Sequence, residues 1–175
     1  MGRQHGGVTV TIARTLNAAC AALAADPGAL VLAGGTDLMV EVNRGGRTVG
    51  DVVVIDRVPE LQGWDREGDV LRLGASLTYA EMADPALASL VPALAQAART
   101  VGSPQIRAAG TIGGNLATAS PAGDTLPVLA ALDAEVELRS STGTRRLPLD
   151  EFVVGVKVNA LVPGCLLYTS DAADE

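Results

Sequence analysis

The stretch Gly110-Thr111-Ile112-Gly113-Gly114-Asn115-Leu116-Ala117-Thr118-Ala119-Ser120-Pro121-Ala122-Gly123-Asp124 sets an adjacent glycine pair among small polar residues and then leads into an apolar run, Leu126 to Leu132. Glycine tolerates positive φ and lets main-chain N–H groups come close to a ligand, so the composition suits a backbone-lined anion site. Asp124 is placed to cap the helix expected from there to about Leu132. A shorter stretch of the same kind, Ala33-Gly34-Gly35-Thr36-Asp37, lies far upstream. Neither carries the G-x-G-x-x-G of a dinucleotide fold or the G-K-[ST] of a P-loop. Either glycine pair alone reads as a tight connection; together they read as two halves of a phosphate site held by backbone N–H groups.

Working outward from the shorter stretch, Val8 to Ile12 reads as a strand and Leu16 to Ala24 as a helix stopped by Asp26-Pro27-Gly28. Leu30 to Ala33 reads as a strand running into Gly34-Gly35, and a helix follows from Leu38 to about Asn43, with Thr36 or Asp37 as its cap. Val52 to Ile55 is the next buried strand. This alternation gives a βαβαβ lobe on a small parallel sheet, its glycine turn at a strand's carboxyl end, where open α/β sheets bind ligands. Beyond Val58-Pro59-Glu60 the texture changes. Trp64 to Leu73 suggests a hairpin, Thr78-x-x-Glu81 a capping box, and Leu87, Leu90, Val91, Leu94 and Ala98 one face of a helix from about Ala86 to Arg99. Gly102 to Gly110 reads as irregular. Strands are expected from Ala134 to Arg139 and from the turn at Ser140–Gly143 to Leu147. The fold class is therefore α+β: a small βαβαβ lobe over residues 1–58, and a larger lobe over 59–164 with a mostly antiparallel sheet and flanking helices.

Composition excludes several functions. The hydrophobic share of 48% is that of a packed chain, and a net charge of −7 without a basic patch argues against nucleic acid. No apolar run reaches membrane-spanning length, and a soluble cytoplasmic protein is expected. Two cysteines, Cys20 and Cys165, and one histidine, His5, supply no constellation for zinc, an iron–sulfur cluster or a hydrolytic triad. Redox or group-transfer chemistry must come from a cofactor.

The motifs Leu32-Ala33-Gly34-Gly35-Thr36-Asp37-Leu38, Leu73-Gly74-Ala75 with Thr78, and Gly110 to Leu116 with Ser120-Pro121-Ala122-Gly123-Asp124 resemble the FAD-binding subunit of molybdenum hydroxylases, the xanthine dehydrogenase, carbon monoxide dehydrogenase and aldehyde oxidoreductase group. The resemblance covers roughly Thr11 to Gly164 and implies a PCMH-type flavin fold with FAD between two lobes. It implies that Val31, Leu32, Ala33, Gly34, Gly35, Thr36, Asp37 and Leu38 line the diphosphate and ribityl region. Thr111 hydrogen-bonds the cofactor, Gly113 and Gly114 give main-chain contact, Asn115 and Ser120 join the site, and Asp124 is an acidic flavin ligand. No residue need act as acid, base or nucleophile. The resemblance further implies iron–sulfur and molybdopterin partner subunits, with electrons passing through FAD to NAD or another acceptor. A stand-alone flavin oxidoreductase and a non-catalytic nucleotide-binding module are the alternative readings. Residues 165–175, Cys165 to Glu175, depart from the family pattern; they are expected to be a truncated, non-native tail, with the family's smaller C-terminal domain missing.

Overall fold

The computed structural model describes residues 8–46 and 49–173; His5 and the last two residues of the atypical tail lie outside that range. The chain opens with β1 (Val10–Ile12), α1 (Leu16–Ala25), β2 (Leu30–Leu32), α2 (Leu38–Asn43) and β3 (Val52–Val54). The three strands form one parallel sheet in the order β1-β3-β2, with β3 in the middle. Thr15 caps α1 by accepting from the Ala18 N–H at 3.1 Å, and the helix buries Leu16, Ala19, Cys20 and Leu23. Cys20 is thus a core thiol, which burial pushes above its ordinary pKa.

A 3-10 turn at Pro59–Leu61 leads into β4 (Trp64–Glu67) and β5 (Val70–Gly74). Then follow α3 (Tyr79–Met82), α4 (Pro85–Leu90), α5 (Pro92–Thr100), α6 (Pro104–Ala109), α7 (Ile112–Thr118) and α8 (Leu126–Ala131). The chain ends in β6 (Glu135–Ser140), β7 (Gly143–Pro148), α9 (Leu149–Phe152), the small hairpin β8 (Val153–Gly155) and β9 (Val158–Asn159), and β10 (Leu166–Ala173). A five-stranded antiparallel sheet is ordered β4-β5-β10-β6-β7. Its apolar face and the helices share one core with α1 and β3, with Leu73, Leu77, Met82, Ile112, Leu116, Val136 and Phe152 almost wholly enclosed.

Three local expectations are corrected. The helix expected over Ala86–Arg99 is two helices broken at Val91, because Pro92 has no N–H to donate and keeps the preceding residue out of the α region; Val91 sits at φ −128°, ψ 78°. The irregular stretch Gly102–Gly110 contains α6: the Ser103 hydroxyl accepts from the Ile106 N–H at 3.3 Å, and Pro104 takes the first helical position. The Gly113-Gly114 pair is not a turn. It lies in the first turn of α7, capped by Thr111, whose hydroxyl accepts from the Gly114 N–H at 3.1 Å.

Residues Leu166–Ala173, set apart by the sequence as an atypical tail, form the middle strand of the larger sheet. Leu166, Leu167 and Ala172 bury apolar side chains there. The same strand carries buried polar atoms without hydrogen-bond partners, the hydroxyls of Thr169 and Ser170 and Oδ1 of Asp171. Asp171 Oδ1 approaches Arg72 Nε at 3.4 Å without hydrogen-bond geometry. An orphaned buried hydroxyl costs about 1–3 kcal/mol, and an isosteric methyl removes that cost. Thr169→Val should therefore raise unfolding stability by about 1 kcal/mol in a urea titration; an equal loss would show that the hydroxyl is satisfied.

Candidate functional site

The two motif stretches meet at a contact only glycine permits. A Cβ on Gly34 would stand 1.6 Å from the carbonyl oxygen of Ala109, so the β2–α2 turn lies directly on the backbone at the end of α6. Next in the chain, Gly110 packs against the Tyr79 ring, where a Cβ would meet ring carbons at 2.8 Å, and its carbonyl accepts from the Tyr79 N–H at 3.1 Å. Thr78 and Thr111 form an antiparallel bridge, and the Ile112 N–H donates to Leu77 at 2.9 Å. Across the seam, the Thr118 hydroxyl donates to Asp37 Oδ2 at 3.1 Å, joining residues 81 positions apart.

Along this seam runs a cleft of about 290 Å³, at the lower end of the size range of ligand pockets. Its walls include Val31, Leu32, Ala33, Gly34, Gly35, Thr36, Asp37 and Leu38 from the first motif and Thr111, Gly114 and Asn115 from the second. The β2–α2 turn contributes unused donors: the N–H groups of Gly34, Gly35, Thr36 and Asp37 donate to no other group among the described residues. Gly35 takes φ +70°, the left-handed region that turns the chain here. Consecutive N–H groups without acceptors, lining a cleft, are the donor set of an anion nest.

The second motif is built differently. The N–H groups of Ile112, Gly113 and Gly114 are spent on Leu77, Ala75 and the Thr111 hydroxyl, so α7 offers no free amide in its first turn. What it offers is side chains, the hydroxyls of Thr111 and Thr118, one helical face at i and i+7.

Three residues expected at the site stand elsewhere. Gly113 is not among the residues lining the cleft; a Cβ there would meet the Ala75 carbonyl oxygen at 2.5 Å, so this glycine lets α7 pack against the backbone just beyond β5. Ser120 lines a separate hollow of about 710 Å³ with Pro121, Leu126 and Asp133. Asp124 caps no helix, nor does it line the cleft; its carboxylate accepts from the Thr100 hydroxyl at 3.2 Å. Asp37 likewise makes no side-chain cap to α2, its carboxylate being engaged with Thr118. Asn115 is at the margin, its Oδ1 accepting a 2.6 Å bond from buried Thr125.

The sequence left several cleft residues unmarked, chiefly Tyr79, Thr118 and Lys157. Reading Thr111–Thr118 as a helix would have found Thr118 and set Gly113 aside. Nothing local signals Tyr79 or Lys157, because tertiary contacts bring them in. Tyr79 is 5% exposed and its hydroxyl has no partner among the described residues. Burial, with the nearby Asp37 and Asp124 carboxylates adding to it, pushes its phenol up to about 12, so it remains a hydrogen-bond donor throughout the neutral range. No group of histidine, cysteine, aspartate and glutamate among the described residues could hold a metal, and no described helix is long and apolar enough to cross a membrane.

The α+β fold thus brings a turn of free amides and the hydroxyls of Thr111 and Thr118 to the walls of one cleft. The family of the FAD-binding domain in molybdopterin dehydrogenases matches residues 6–169, and the chain belongs to that family. It is 43% identical over 126 residues to the nicotinate dehydrogenase FAD-subunit of Eubacterium barkeri, a match covering 71% of this chain and 43% of that protein. It is 32% identical over 134 residues to the carbon monoxide dehydrogenase medium chain of Hydrogenophaga pseudoflava, covering 76% and 47%. Among solved structures, quinoline 2-oxidoreductase from Pseudomonas putida 86 superposes with a TM-score of 0.92 at 26% identity, covering 99% of this chain and 61% of that one. The chain spans about half the length of the curated relatives it matches. FAD is the cofactor of this family, and the residues fit it: free amides for a diphosphate, hydroxyls for ribose and ribityl oxygens.

The two glycines that meet different neighbours should respond differently to the same change. Gly34→Ala forces apart two backbones and should cost about 3 kcal/mol or more of unfolding stability. A Cβ on Gly114 meets only the Thr111 hydroxyl, at 3.1 Å, so Gly114→Ala should stay within about 1 kcal/mol of the parent. Equal losses in chemical denaturation would contradict the seam as described.

Proposed function

We propose that the chain is the FAD-holding part of a molybdenum-hydroxylase-type oxidoreductase, with the cleft between the β2–α2 turn and α7 as its cofactor site. The observation that carries this reading is the run of unclaimed N–H groups from Gly34 to Asp37 on the cleft wall. They hold the diphosphate; along the opposite side Thr111 and Tyr79 donate to the sugar and ribityl oxygens, and the Thr118 oxygen, whose proton goes to Asp37, accepts from a sugar or ribityl hydroxyl. FAD, when bound, supplies the electron exchange. The chain's own residues bind it, orient it and keep it in a low-dielectric seam, and none of them serves as acid, base or nucleophile.

The printed names of the relatives support the setting. One is an FAD-subunit and another a medium chain, both parts of dehydrogenases. On that basis the partners are an iron–sulfur subunit, which delivers electrons, and a molybdopterin subunit, which oxidises the substrate; NAD or another acceptor takes them up, in the cytoplasm. Lobes at residues 1–58 and 59–164 are the corresponding division of the chain, with the strand Leu166–Ala173 completing the sheet of the second.

Purified protein incubated with FAD and freed of excess should show an oxidised-flavin band near about 450 nm. Protein that stays colourless after incubation would overturn the reading.

A further inference from the structure

The charge of the cleft poses a problem that one residue solves. Among the residues that line it Lys157 is the one cation, and it is also the only lysine in the chain; the Asp37 carboxylate lines the cleft too. A diphosphate diester is a dianion, so a site lined by a carboxylate repels it unless a cation stands close.

Lys157 is held at that wall by an unusual backbone arrangement. It sits in the β8–β9 turn at φ 56°, left-handed for a non-glycine residue, and its N–H donates at 2.9 Å to the carbonyl of Ala119. Ala119, which ends α7, is itself left-handed at φ 46°. Two residues on, the Asn159 side-chain amide donates at 2.6 Å to the carbonyl of Ala117. The hairpin is thereby clamped to the carboxyl end of α7, the helix that carries Thr111 and Thr118. Left-handed non-glycine residues persist where the surrounding structure fixes them, and here two are bonded to each other beside the cleft. No carboxylate among the described residues is ion-paired with Lys157.

We propose that Lys157 is a cofactor-binding residue: its ammonium, delivered by the β8–β9 hairpin, neutralises the anionic diphosphate of the nucleotide in the cleft and offsets Asp37. The inference rests on the reading of the cleft as the FAD site. Free amides orient the phosphate oxygens, and the lysine supplies the charge that neutral donors lack. A lysine fits this role as a point charge on a flexible stem, reaching whichever oxygen the amides leave open.

The test compares FAD affinity, by quenching of flavin fluorescence, for the parent, Lys157→Met and Lys157→Arg. Thermal midpoints confirm that the hairpin is intact. Lys157→Met should bind FAD about tenfold more weakly, and Lys157→Arg should recover most of the loss. The parent's affinity should also fall more steeply than the methionine variant's as NaCl rises from about 50 to about 500 mM, which a merely structural role would not produce. A parent that binds FAD beside a methionine variant with the same affinity and salt dependence overturns this inference alone. A parent that binds no FAD overturns the reading of the cleft, and the inference with it.

Discussion

The contact of Gly34 with the carbonyl of Ala109 fixes the spacing of everything around it. With no Cβ at position 34, the β2–α2 turn comes within backbone distance of the α6–α7 junction, and the two motif stretches, some 75 residues apart, become neighbouring walls. Any larger residue would open the seam. The Tyr79 bond to Gly110, the Thr78–Thr111 bridge and the Thr118–Asp37 hydrogen bond then close it at successive points. The cleft is what remains between walls that cannot approach further.

The walls divide the labour of binding. On the β2–α2 side the main chain turns without satisfying its own donors, a costly state for a partly buried backbone in the absence of a ligand. On the α7 side every first-turn amide is spent internally, and side-chain hydroxyls face the cleft instead. An anion therefore has one preferred wall. Lys157 supplies the cation where the hairpin delivers it.

Much of this was legible in the residues. The parallel βαβαβ order, the capping box of Thr78 and Glu81, the β4–β5 hairpin and the pairing of two glycine motifs follow from short-range patterns, and all are present. What escaped depends on orientation or on distance. A glycine pair in sequence does not say which of its members faces a ligand; in the structure Gly114 faces the cleft and Gly113 faces Ala75. Asp124 reads as a cap because it precedes an apolar run, yet α8 starts later and the carboxylate is drawn to Thr100. The break at Pro92 and the Ser103-Pro104 start of α6 were present as local signals, masked by the helical spacing of Leu90, Val91 and Leu94 and by Gly102. Tyr79 and Lys157 reach the site only through tertiary packing.

Hydrogen–deuterium exchange with and without FAD tests the central claim most directly, because it reads the amides themselves. The account predicts that the amides of Gly34 to Asp37 exchange readily in the free protein and gain strong protection when FAD is added. Those of Ile112 to Gly114, already bonded, should be protected in both states, and the hollow around Ser120 and Asp133 should be unchanged. Protection that appears around Ser120 to Asp133 and leaves Gly34 to Asp37 as they were would contradict it.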